Sequence, residues 1–149
     1  MNYSELEKYF KNEEGLNMLT GECEQVFDEI DLYAEQFQDG SLSSSSDIKK
    51  AITRLAGFQM YLEPIYHEAS TNKKFYQEAR YANLRKESAE KNEKFVSTVA
   101  DKQASLYVYE YRKLRNRLEA KIKACTVGIN TCQSLLKYIS EEMRMSKWD

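Results

Sequence analysis

From Leu118 to Met143 an apolar residue returns at steps of four, three, four, three, four, three and four: Leu118, Ile122, Cys125, Ile129, Cys132, Leu136, Ile139 and Met143. Only a helix turns that spacing into one continuous stripe, because side chains three and four apart stand above one another on its surface. With Ile122 at heptad position a, Ile129, Leu136 and Met143 are the other a residues, and Cys125, Cys132 and Ile139 occupy d. Three heptads of this kind make a coiled-coil seam and predict homo-oligomerisation through a C-terminal helix of about residues 104–146. One stripe of an ordinary bundle inside a single chain gives the same spacing and stands beside that reading. Ala124 and Gly128, small and four apart, admit a close partner helix on one side.

The rest of the chain agrees with helix. It holds one proline and five glycines in 149 residues, and 31% of it is charged, which excludes the turn-rich layout of a sandwich or barrel. The expected fold is all-α, an elongated helical bundle or hairpin ending in the oligomerisation helix. Leu19, Cys23, Val26, Ile30, Tyr33 and Phe37 form one stripe, and DGSLSSSSD at 39–47 ends it, with Gly40 as the stop and Ser46 or Asp47 as cap of the next helix. Ile48, Ile52, Leu55, Gln59 and Leu62 continue the pattern until Pro64, which predicts a kink or break between Leu62 and Tyr66. Residues 67–95 are helix-permissive but poor in apolar side chains, which suggests a projecting or inter-subunit helix. The stretch VSTVADKQASLYVYEY, with Tyr107, Tyr109 and Tyr111 alternating, predicts a turn near Thr98–Asp101 before the last helix, with a short strand as the alternative. The organisation expected is an acidic N-terminal segment over 1–39, a serine-rich linker over 40–47 and a basic helical domain over 48–149.

Charge divides the chain in the same place. Residues 1–47 carry twelve Asp and Glu against two Lys, whereas residues 48–149 carry twelve acids against twenty Lys and Arg. Such asymmetry suggests an anionic partner for the basic part, or pairing of one part against the other. No run approaches the roughly 20 apolar residues that span a bilayer, and the acidic start MNYSELEKYF does not resemble a signal peptide, so a cytoplasmic protein is expected. Cys23, Cys125 and Cys132 have neither CxxC spacing nor an even count, so free thiols are expected, with no disulfide and no metal site.

Nothing in the sequence assembles a catalytic site. There is one histidine, His67, with no positioned nucleophile, no phosphate-binding glycine loop and no HExxH motif. A non-enzyme without cofactor, metal, membrane or small-molecule substrate is the expectation. Two basic stretches remain. KKFYQEARYANLRK at 73–86 offers Lys73, Lys74, Tyr76, Arg80, Arg85 and Lys86, and YRKLRNRLEAKIK at 111–123 offers Arg112, Lys113, Arg115 and Arg117 as a second candidate. Single-stranded nucleic acid is held by cations along its phosphates and aromatic rings under its bases, and both stretches contain both. A solvated helix face has the same composition. Lys73 and Arg80, seven apart, share a helical face with Tyr76 between them.

KKFYQEAR resembles the short lysine and arginine motif of the phage UvsY-type recombination mediators, and TVADKQ at 98–103 is similar to a Ser-Ala-Asp-Lys stretch that precedes their C-terminal helices. The likeness covers about the last two thirds of the chain and leaves the acidic N-terminal segment aside. It implies single-stranded-DNA binding in recombination or replication, with Lys73, Lys74 and Arg80 at the motif's basic positions and a C-terminal helix that drives ring-like homo-oligomerisation. It further implies loading of a recombinase onto DNA coated by a single-strand-binding protein, which makes both proteins possible partners. One position departs: Glu78 stands where the family has a second DNA-contacting lysine. The competing class is a helical phage structural protein or protein inhibitor that binds no nucleic acid.

Overall fold

The computed structural model describes residues 1–148, which form five helices and, among the described residues, no strand: α1 (Tyr3–Tyr9), α2 (Glu13–Asp39), α3 (Ser45–Glu90), α4 (Ser97–Tyr107) and α5 (Tyr109–Ser146). Among the described residues, no helix is long and apolar enough to cross a membrane. The helices make two compact units, and the three longest contribute to both. One unit comprises Met1–Met18 with Ile65–Arg117, the other Leu19–Pro64 with the chain from Leu118 onward.

The second unit packs α2 from Leu19, α3 as far as Pro64 and α5 from Leu118. Leu19, Cys23, Phe27 and Ile30 are buried from α2, Ile48, Ala51, Leu55, Phe58 and Leu62 from α3, and Leu118, Cys125 and Cys132 from α5. Each large side chain buried this way contributes about 1.5–3 kcal/mol relative to exposure. Close packing depends on Gly128, where a Cβ would stand 2.8 Å from Leu55 Cδ1 and 3.3 Å from Phe37 Cε2. The acidic α2 finds its counter-charges inside this unit: Arg54 of α3 pairs with Glu29, and Lys121 of α5 pairs with Asp31. Exposed pairs of this kind contribute at most about 1 kcal/mol each and mainly set which helix faces which.

Gly40 takes φ +70°, the left-handed conformation that ends α2. The next cap lies two or three residues before the Ser46 or Asp47 expected: Ser44 Oγ accepts from the Asp47 N–H at 3.1 Å, and α3 starts at Ser45. The apolar stripe of α5 divides along its length. Leu118, Cys125 and Cys132 are fully buried, Ile122, Ile129, Leu136 and Ile139 are half-buried, and Met143 is 60% exposed. The stripe therefore serves packing within the chain as far as Leu136 and Ile139, which pack against Ile48, Ala51 and Cys132, and leaves Met143 outside that packing.

Burial pushes the Cys125 thiol up to about 11 and raises Cys132 as well. All three cysteines are free thiols and buried. Alkylation at pH 8 should consequently be slow at Cys23, Cys125 and Cys132 in the native protein and fast in denaturant, as counted by mass spectrometry. Rapid native modification of Cys125 would contradict this burial.

The first unit gathers α1, the start of α2, α3 from Ile65, α4 and α5 through Arg117. Its core is Leu6, Phe10, Leu16, Ile65, Ala69, Ala100, Ala104, Val108 and Leu114. A capping box starts α1, Asn2 Oδ1 accepting from the Glu5 N–H at 2.9 Å while Glu5 Oε2 accepts from the Asn2 N–H at 3.0 Å. Asn12 Oδ1 caps α2 through the Gly15 N–H at 2.7 Å.

Of the kink or break expected at Pro64, the break is absent: the helix runs through Pro64, with Leu62, Ile65 and Ala69 buried on either side of it, so packing offsets the roughly 3 kcal/mol that an interior proline costs. The turn expected at Thr98–Asp101 instead occupies residues 91–96, where Asn92 adopts φ +53°, and Asp101 lies inside α4. The tyrosine-rich stretch is helical, not extended. Ala100, Ala104 and Val108, four apart, bury one face, and the chain departs from helix only at Val108 between α4 and α5. Nor does the stretch after Pro64 project bare, for Asn72, Lys73, Tyr76, Arg80 and Leu84 are half-buried along it.

Candidate nucleic-acid interface

Both basic stretches fall in the first unit, apart from the last residues of the second stretch. That unit carries fourteen Lys and Arg against eleven Asp and Glu, or +3, while the other carries eight against thirteen, or -5. The division of charge seen along the chain thus persists between the units.

On α3 the face shared by Lys73, Tyr76 and Arg80 turns partly inward. Tyr76 donates its hydroxyl to the Phe10 carbonyl at 3.3 Å, and its ring centroid lies 5.3 Å from that of Tyr111. A base cannot slide under Tyr76 in this arrangement. Lys74, Arg85 and Lys86 are exposed, as is Phe75 at 63%. Glu78 is exposed one turn after Lys74, where its carboxylate partly offsets that lysine.

The arginines are positioned by aromatic rings. Arg80 lies 5.6 Å over Tyr107, Arg85 5.8 Å over Phe95 and Arg112 5.9 Å over Tyr109. Tyr81 meets Phe95 edge to face at 5.6 Å. Arg112 also donates to Ser105 Oγ across the α4–α5 break, and Arg80 makes a long 3.9 Å pair with Glu87. The break at Val108 places Tyr107 at the end of α4 and Tyr109 at the start of α5, and both rings remain about half exposed or more. A guanidinium held beside an open ring can meet a phosphate while the ring takes a base.

Of the second stretch, Lys113 is exposed, Arg117 is half-buried, and Arg115 lies 6.0 Å over Tyr66 and donates to Asn116 Oδ1 at 3.1 Å. Tyr107, Tyr109 and Phe95 were absent from the candidates read from sequence. Their alternation with Arg80, Arg85 and Arg112 arises only when three segments meet, although the aromatic density of 107–111 was a visible signal. No group of three or more His, Cys, Asp or Glu is placed to hold a metal ion among the described residues. No protein-family model, curated protein or solved structure matches the chain.

Tyr111 ties the N-terminal turn to this region by donating to the Phe10 carbonyl at 3.0 Å. Burial, followed by the neighbouring Tyr76 and Tyr107, pushes it from 10.0 up to about 12. The neutral phenol is the form favoured by folding, so its contribution is complete below pH 10 and is lost as pH rises through about 12. Tyr111→Phe should flatten that alkaline loss of stability, read as a smaller fall in melting temperature between pH 9 and 11 than in the parent. An equal fall would assign the loss to other groups.

Proposed function

We propose that this chain is a non-enzymatic, single-stranded-DNA-binding accessory protein of the UvsY-type mediator class. In this reading it works in phage recombination or replication in the host cytoplasm, and its homo-oligomers load a recombinase. The observation that supports strand binding is the triplet of arginine–aromatic pairs, Arg80 with Tyr107, Arg85 with Phe95 and Arg112 with Tyr109, in the positively charged unit. Such pairs offer charge and stacking together, with no bond chemistry required. Repetition around an oligomer multiplies several moderate sites into useful affinity. The mediator role rests on the resemblance of KKFYQEAR and TVADKQ to that family.

Anisotropy of a labelled oligo-thymidylate at two salt concentrations tests the reading. The affinity should fall steeply with salt, by about 0.7 logarithmic units per tenfold salt for each phosphate neutralised. Absence of binding at low salt overturns it.

A specific observation favours the second reading, a helical interaction protein. Tyr138, Met143, Met145 and Trp148 are 60%, 60%, 71% and 86% exposed near the end of α5. Tyr138 and Met145, seven apart, share one face of the helix, and exposed apolar side chains that adjoin mark a surface for another protein. If their replacement by serine abolishes a partner complex in a chain that binds no DNA, that reading takes precedence.

A further inference from the structure

We propose that the cleft between the C-terminal turns of α3, the 91–96 turn and α4 receives one unstacked base of a bound single strand. The inference rests on the strand-binding reading and adds to it a particular subsite.

The cleft measures about 370 Å³, within the range of small-ligand sites. Leu84, Phe95, Val96 and Val99 are the large apolar members of an otherwise mostly polar lining, and Val96 and Val99 are 45% and 50% exposed. Ser88 and Gln103 stand in the same lining and supply a hydroxyl and an amide, donor and acceptor groups that suit the edge of a base. The charges in the lining cancel, Lys91 and Lys94 against Glu87 and Glu93. A lining with no net charge gives a phosphate no advantage over an uncharged group. Phe95 connects the cleft to the arginine–aromatic series, since it lies under Arg85 and against Tyr81. Arg80, paired with Glu87 of the lining, extends the connection toward Tyr107. A strand whose phosphates follow these arginines therefore passes the mouth of the cleft and can turn a base into it.

Two measurements on the full chain decide this. The double change Ser88→Leu with Val99→Leu fills the cleft with carbon and adds neither charge nor ring. Circular dichroism should show the parent's helix content. The filled protein should bind oligo-thymidylate roughly tenfold more weakly, as expected for one lost base contact. It should bind a fully abasic strand as the parent does, with an unchanged salt slope. Separately, a strand carrying 5-iodouracil should crosslink on irradiation to the peptide containing Phe95. Equal affinity of the filled protein and the parent for oligo-thymidylate, with crosslinks confined to Tyr107 and Tyr109, overturns the cleft but leaves strand binding intact. A parent that binds neither strand overturns both.

Discussion

Leu118→Ala should lower the free energy of unfolding by about 2–5 kcal/mol, whereas Met143→Ala should change it by no more than about 0.5 kcal/mol. The two residues begin and end the same apolar stripe and are indistinguishable by spacing. Their surroundings differ, since Leu118 is wholly buried and Met143 is 60% exposed. Truncating Leu118 removes its contacts and leaves a cavity that the packed helices close only in part. A domain of this size has about 5–15 kcal/mol in total, so a loss at the upper end leaves a large unfolded fraction. Urea titration of both variants checks the contrast. Equal losses would mean that Met143 is covered in solution, which would point to an oligomer formed through the end of α5, and light scattering of the parent would then reveal it.

The second large effect concerns binding. Removing Tyr107 with Arg80 and Arg112 should weaken single-strand affinity by roughly a hundredfold, combining a lost stacked base of about 1–3 kcal/mol with two lost phosphate contacts. The salt slope should fall by about 1.4, at roughly 0.7 for each contact on a single strand. Replacing Lys73 alone by Ala should do little by comparison, because it removes one charge where the triple change removes two charges and a ring. Glu78→Lys should tighten binding several-fold, since it removes a carboxylate from the exposed face and adds a cation there. The measurement is anisotropy across a salt series. Loss of affinity with an unchanged slope would show that the arginines position the tyrosines without touching phosphate. If Lys73→Ala proves as damaging as the triple change, Lys73 and not the arginine–aromatic series holds the strand.

The two outcomes depend on how much each part of the sequence carried locally. The stripe of α2 and the stop at Gly40 follow from neighbours within a few residues, so they could be read directly. The all-helical class followed from the scarcity of glycine and proline. The break after α3 could not be read, because Asn92 takes a left-handed conformation without a glycine and Val96 begins α4 without a side-chain cap. The break expected at Pro64 is absent for the opposite reason, as its local penalty is outweighed by packing that involves residues distant in sequence. Tyr76 became unavailable as a stacking ring through a carbonyl 66 residues away, at Phe10. Arg80 with Tyr107 and Arg85 with Phe95 likewise join α3 to residues beyond its end, which no helical wheel of one segment displays.

Because each unit is assembled from two separated stretches, their order of completion during synthesis is set by the chain itself. The first unit has all its residues once Arg117 has left the ribosome. The other must hold Leu19–Pro64 incomplete until Leu118, Cys125 and Cys132 emerge. Contacts this distant in sequence close slowly, and in the interval Ile48, Ala51 and Leu55 lack their third helix. Nascent chains arrested with Arg117 just emerged and the chain from Leu118 onward still inside the ribosomal tunnel should therefore yield a protected first unit beside a protease-sensitive α2 and early α3, with a chaperone-binding hydrophobic surface that vanishes when Leu118, Cys125 and Cys132 emerge.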